Sequence, residues 1–245
     1  MAKALAGGGA TVYILGRRAS ALEAAASSHT NIRPLVCDVT SKASLQNAVD
    51  AISAEVGYVN LVIANSGVLG PYQSFGGDGG PLPSIRALRA RLFDDVSLDA
   101  FNEPLHVNVT GAYFTMLAFL ELLDAGNRNA LKGGFGKPAG AGEGGEVPLV
   151  QSQVIFTGSV GSYSRERASP PAYVASKSAV AQLAQHAATN LAPYQIRVNT
   201  LAPGCEYFFF FPLRHLFHGA MNLHLCSLRR RCCLYKERTD VQLMK

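Results

Sequence analysis

"VNLVIANSGV", residues 59–68, is an almost unbroken apolar run that ends in a polar turn. A strand without apolar/polar alternation is buried on both faces, the signature of a parallel sheet covered by helices. Working outward, the pattern recurs upstream in "ATVYILGRR" (10–18) and "IRPLVCDVT" (32–40), and downstream in "SQVIFTGSV" (152–160) and "IRVNTLAPG" (196–204). Helical stretches separate them: "SALEAAASS" (20–28), the amphipathic "SKASLQNAVDAISAEV" (41–56), the long 97–123 with an early turn at "EP", and 171–193. This alternation predicts an α/β fold with a parallel sheet sandwiched by helices. Two Gly-rich stretches, 70–85 and 125–148, read as surface loops, the second as an insertion without chemistry.

The totals allow one sizeable core: 245 residues, 48% hydrophobic and 16% charged. The net charge of +5 is unevenly placed, with 15 Lys and Arg against 14 Asp and Glu over residues 1–204 and 7 against 3 in 205–245. The body therefore offers no basic stripe for a nucleic acid. Cysteine is also lopsided, since Cys37 is alone in the body and Cys205, Cys226, Cys232 and Cys233 lie in the tail. That odd, unpatterned set points to reduced thiols in an intracellular, cytoplasmic protein. His224, Cys226, Cys232 and Cys233 match no zinc spacing, so no metal is expected. No apolar run reaches the ~18 residues of a membrane span, and the opening "MAKALAGGG" has no signal-peptide core.

In an open parallel sheet, ligands bind at the carboxyl ends of the strands. The polar residues of interest fall there: Arg17 and Arg18, Asp38, Asn65 and Gly67, Ser159, and Pro203 with Gly204. In "YVASK" (173–177), Tyr173 and Lys177 stand at i and i+4 and share one helical face. A free phenol titrates near ~10 and is a poor proton donor at neutral pH, but a fixed ammonium beside it favours the phenolate. Ser159, fourteen positions earlier, is placed to bond the same substrate oxygen. From the spacing alone, a half-buried Tyr and a snorkelling Lys are the favoured account.

"FTGSVGS", "YVASKSAV" and "IRVNTLAPG", with "CDVT", "IANSG" and "HVNVTGAYF" in matching order, closely resemble the short-chain dehydrogenase/reductase family over about residues 3–204. The resemblance implies a Rossmann-like doubly wound parallel sheet and transfer of a hydride between a nicotinamide cofactor and a carbonyl or secondary alcohol. It implies that Tyr173 is the acid-base, that Lys177 holds the nicotinamide ribose, that Ser159 polarises the carbonyl, and that Asn108 steadies a relay water. It also places Asp38 at the adenine, Asn65 and Gly67 against the cofactor, and Pro203 and Gly204 on the nicotinamide face. For Asp38, a capping role at the helix starting near Ser41 stays open beside the adenine role. Asn108 satisfied by backbone is likewise open.

Where the family's NAD members carry an acid after the second strand, this sequence has Arg17 and Arg18, whose guanidinium forks suit a 2′-phosphate. NADP is therefore preferred over NAD. The family's first strand and Gly-rich phosphate turn have no counterpart, because "GGG" at 7–9 precedes a strand instead of following one. A gap is thus expected between the strands near 11–15 and 59–64. After Gly204 the last helix and strand are also missing, so we expect a partial Rossmann-like domain over 1–204 and a divergent, poorly ordered tail over 205–245. An alternative is a non-catalytic, truncated relative with impaired cofactor binding. Homo-oligomerisation is left open.

Overall fold

A computed structural model describes residues 1–73, 75, 81–138, 147–165 and 169–204. The tail at 205–245, with its reading as divergent and its His/Cys group, lies outside the described residues.

The strands are β1 (Val12–Gly16), β2 (Ile32–Val36), β3 (Leu61–Ala64), β4 (Gln153–Thr157) and β5 (Arg197–Leu201). β3 and β4 follow from apolar runs, whereas β2 and β5, read from sequence as buried on both faces, carry Arg33 and Arg197 and are exposed at three of their five positions each. β4 carries Val154 and Phe156 wholly buried. All pairings are parallel, and they form two sheets, β1–β2 and β3–β4–β5. The doubly wound sheet is therefore in two pieces, and among the described residues no strand pairs the facing edges of β1 and β3. The break falls where the sequence places its gap.

Helices join the pieces. α1 (Ala2–Gly7) ends in Gly8 and in Gly9 at φ 90°, so the three glycines close a helix ahead of β1. α2 (Ala19–Ala26) links β1 to β2, and α3 (Lys42–Glu55) starts at Ser41, whose Oγ accepts from the Ser44 amide. Val49 and Ile52 of α3 belong to the main core with Val62, Val154, Phe156 and Val198, while Tyr13 and Leu15 of β1 pack against it from the side. A smaller cluster, Cys37, Leu45 and Ala48, packs on Phe114 and Ala118. Burial pushes the Cys37 thiol up from its ordinary range.

Three findings correct the sequence reading. Ile85, read as the end of the first loop, and residues 86–94, unassigned from sequence, are helical: α4 (Ile85–Arg89), capped by Ser84, continues as a π-helical turn over Ala90–Asp94. The long helix is not one cylinder, and "EP" makes no turn. α5 (Leu98–Pro104) passes through a π-helical segment, Leu105–Gly111, into α6 (Ala112–Ala118), and a 45° bend at Phe119 leads to α7 (Leu120–Leu131). Pro104 has no amide to donate, which favours a change of helical register there. The second loop also starts later than 125, because α7 runs to Leu131. Among the described residues no single helix is long and apolar enough to cross a membrane; the bent pair Leu98–Ala118 with Leu120–Leu131 passes on length and composition, yet Met116, Leu122 and Leu123 are core residues.

Candidate active site

β3, β4 and β5 run in register, Ala64 opposite Phe156 and Thr157 opposite Leu201, so their carboxyl ends form one ledge. α8 (Pro171–Leu191) leans over it. Proline at its first position is preset for the helix and needs no amide partner. Its buried alanines, Ala172, Ala181, Ala184 and Ala187, let the helix seat closely. Lys177 is only 5% exposed, and its Nζ donates to the Thr157 carbonyl at 2.6 Å. Burial lowers the Lys177 pKa from the usual lysine range, since an ammonium loses hydration there. The same Nζ stands 5.8 Å from the centre of the Tyr173 ring.

Ser159, two residues past β4, caps the short 3₁₀ turn Val160–Ser162, its Oγ accepting from the Gly161 amide at 3.0 Å. Accepting leaves its own proton available. A Cβ added at Gly161 would lie 3.3 Å from Ser159 Oγ and 3.9 Å from Tyr173 Cε1, so hydroxyl and ring both adjoin this glycine. Among the described residues no hydrogen bond occupies the Tyr173 hydroxyl. Pro203 joins the same edge because its carbonyl accepts from the Val160 amide at 3.0 Å, and Gly204 follows against Val160.

Asn108 lies buried in the π-helical segment. Its Oδ1 accepts from the Val68 amide at 2.8 Å, and its Nδ2 donates to the Val68 carbonyl and to Ser176 Oγ, both at 2.9 Å. Both amide protons are thus committed, and Asn108 clamps the turn after β3 to α8. Gly67 fits inside that clamp: a Cβ there would meet Asn108 Oδ1 at 3.0 Å and Lys177 Nζ at 3.5 Å. Asn65 accepts from Thr157 Oγ1 at 3.1 Å, tying β3's end to β4's.

Sequence reasoning passed over Thr157 and Ser176. Ser176 is fully buried; it donates to the Tyr173 carbonyl at 2.7 Å and accepts from Asn108. Both residues stand inside the quoted motifs "FTGSVGS" and "YVASK", so their place in those motifs is the signal that was there to follow.

Arg17, Arg18 and Asp38 gather elsewhere, at the ends of β1 and β2. Asp38 Oδ1 accepts from the Thr40 hydroxyl at 2.7 Å and the Thr40 amide at 2.9 Å. These bonds, followed by the charges of Arg17 and His106, hold its carboxyl below the usual range. Asp38 thus closes the turn before α3, whereas the cap is Ser41. Arg17 and Arg18 are exposed at the start of α2, and neither makes an ion pair among the described residues. No hydrogen bond or ion pair among those residues links this group to the one around Lys177.

These positions fit the two ends of a dinucleotide. At Gly67 a Cβ would crowd Asn108 Oδ1 and Lys177 Nζ, and the guanidinium groups of Arg17 and Arg18 are exposed and make no ion pair among the described residues. A glycine turn leading into a helix, the usual cradle of the bridging phosphates, does not occur at residues 7–9. Among the described residues no three His, Cys, Asp or Glu side chains converge on a metal position.

The chain matches the family model of the short chain dehydrogenases over residues 1–131 and 150–206. It is 64% identical over 206 residues to the short-chain dehydrogenase/reductase SAT3 of Stachybotrys chartarum, covering 83% of this chain and 73% of SAT3. Among solved structures it is similar to an NAD+-bound xylitol dehydrogenase, at 26% identity and a TM-score of 0.58, covering 78% of this chain but only 59% of that one. A Pseudomonas aeruginosa RhlG/NADP active-site complex superposes at a TM-score of 0.65 over 92% of this chain and 75% of that one, and its 22% identity speaks for the fold alone. With strand order, site geometry and family match in agreement, the chain belongs to the short-chain dehydrogenase/reductase family.

Proposed function

We propose that this chain carries the catalytic centre of an oxidoreductase that moves a hydride between NADP(H) and a carbonyl or secondary alcohol. The observation that supports it most is the convergence of Lys177, Tyr173 and Ser159 on the ledge at the ends of β3 and β4. When bound, the reduced nicotinamide supplies the hydride that a carbonyl carbon receives.

The chain's own residues handle the oxygen. Tyr173 donates its hydroxyl proton to the substrate oxygen, and Ser159 donates a hydrogen bond to the same atom, so negative charge developing there meets two donors. Lys177, anchored through Thr157, keeps a cation beside the Tyr173 ring while the phenolate forms. Burial eases loss of the lysine's proton, which suits Lys177 to returning one to the phenolate. Asn108 acts as a positioning residue: it holds Val68 and Ser176, and through Ser176 the backbone of Tyr173. Pro203 and Gly204 would lie along the nicotinamide face, Asn65 and Gly67 along the ribose side, and Asp38 at the adenine.

Solved relatives are complexed with NAD+ in one case and NADP in another. The preference for NADP rests instead on Arg17 and Arg18, which present planar donors and positive charge where a 2′-hydroxyl would call for a carboxylate. Fluorescence titration of the full chain with NADPH and NADH tests this. We expect NADPH to bind at least about tenfold more tightly, a difference of ~1.4 kcal/mol. Equal or tighter NADH binding rejects the preference, and no binding of either rejects the oxidoreductase reading.

A further inference from the structure

Between the loops that leave β3 and β4 lies a cleft of about 500 Å³. Its walls are apolar on two sides: Phe75 and Leu82 from the loop after β3, Pro171 and Val174 from the first turns of α8. Phe75 is 51% exposed and Leu82 70%, so a large apolar area stands ready for a ligand to cover. The polar side carries Arg165 with the hydroxyl residues Ser164 and Ser169. No carboxylate lines the cleft among the described residues, and Arg165 makes no ion pair there.

The chain path ties this cleft to the chemistry. Val174 directly follows Tyr173, and Ser164 and Arg165 continue the loop that begins at Ser159. Neither Tyr173 nor Ser159 lines the cleft; it adjoins them through the next residue of α8 and later residues of the loop. A volume of this size is that of a small-molecule site, in which apolar walls give affinity and one or two polar groups give orientation.

We propose that Arg165 is a specificity-determining residue, and that the substrate class is an apolar body bearing a carboxylate or similar anion at a distance from the reacting carbonyl. This rests on the oxidoreductase reading above. The guanidinium offers paired donors that match a carboxylate. A neutral analogue of the same shape gains only the apolar contact.

Calorimetric titration of the full chain with phenylbutyrate and with phenylbutanol tests the proposal without needing turnover. Phenylbutyrate should bind about tenfold more tightly to the wild type, as expected of one charge-assisted contact. Arg165→Met should abolish that difference while leaving phenylbutanol affinity unchanged, which also certifies the fold, and Arg165→Lys should keep part of it. Equal affinities in the wild type, a preference that survives in Arg165→Met, or no binding of either ligand would overturn it. NADPH titration of the same sample separates the two claims. Intact NADPH binding without phenylbutyrate preference overturns the cleft assignment alone; preference without NADPH binding overturns the oxidoreductase reading and with it the role of the anion as substrate.

Discussion

The sheets β3–β4–β5 and β1–β2 differ in what holds them. β4 is paired along both edges, and its Val154 and Phe156 are shut from solvent on a core fed by α3, α6, α7 and α8. β1 has one partner, all five of its residues are only half-buried, and Tyr13 points a buried hydroxyl at no partner among the described residues. A two-stranded unit is marginal alone, so β1–β2 depends on the helices that bridge to the larger sheet. The site divides along the same line. Tyr173, Lys177, Ser159 and Asn108 stand on the well-packed part, and Arg17, Arg18 and Asp38 on the weaker one. The proposed proton chemistry and the proposed nucleotide choice can therefore fail separately.

The sharpest way to break this contrast is substitution in the two sheets. Phe156→Ala should cost about 4 kcal/mol, whereas Ile14→Ala on β1, outside both buried clusters, should cost about 1 kcal/mol. Urea melts give both values, and similar costs would contradict the comparison. Amide exchange reads it without mutation: β4 amides should open only with global unfolding, and β1 amides at an opening energy lower by about 2 kcal/mol or more.

A smaller effect concerns Lys177. Burial disfavours its charged form, so in the window between its lowered folded pKa and the ordinary ~10.4 the unfolded chain holds the proton more strongly. Stability contributed by this residue therefore rises with pH through that window, and is at its least below it. Melts of wild type and Lys177→Met from neutral pH to about 11 should converge as pH rises, the variant being the more stable at neutral pH. A constant difference would contradict the account. Smallest is Tyr13→Phe, which removes a buried hydroxyl without a partner and should stabilise the chain by about 1 kcal/mol. Destabilisation would mean that the hydroxyl is satisfied.

Much of this was legible in the sequence, because the apolar runs of β3 and β4 mark parallel strands and an i, i+4 pair must share a helical face, but the same reading overstated the burial of β2 and β5. The break between the sheets was legible too, from glycines that precede a strand. What misled was glycine read only as flexibility. Gly126 looked like the start of a loop, but it lies buried inside α7, where any Cβ would strike the Val59 carbonyl. Asn108 shows a different limit. Its two bonds to Val68 cross forty positions of chain, and no local pattern announces a contact at that distance.

The most direct test of the central claim is kcat of Tyr173→Phe in NADPH-dependent ketone reduction, beside its NADPH affinity. The account predicts a fall in kcat of about 10²- to 10⁴-fold with NADPH binding unchanged, the loss expected when a general acid is removed. Turnover within a few-fold of the wild type would contradict it.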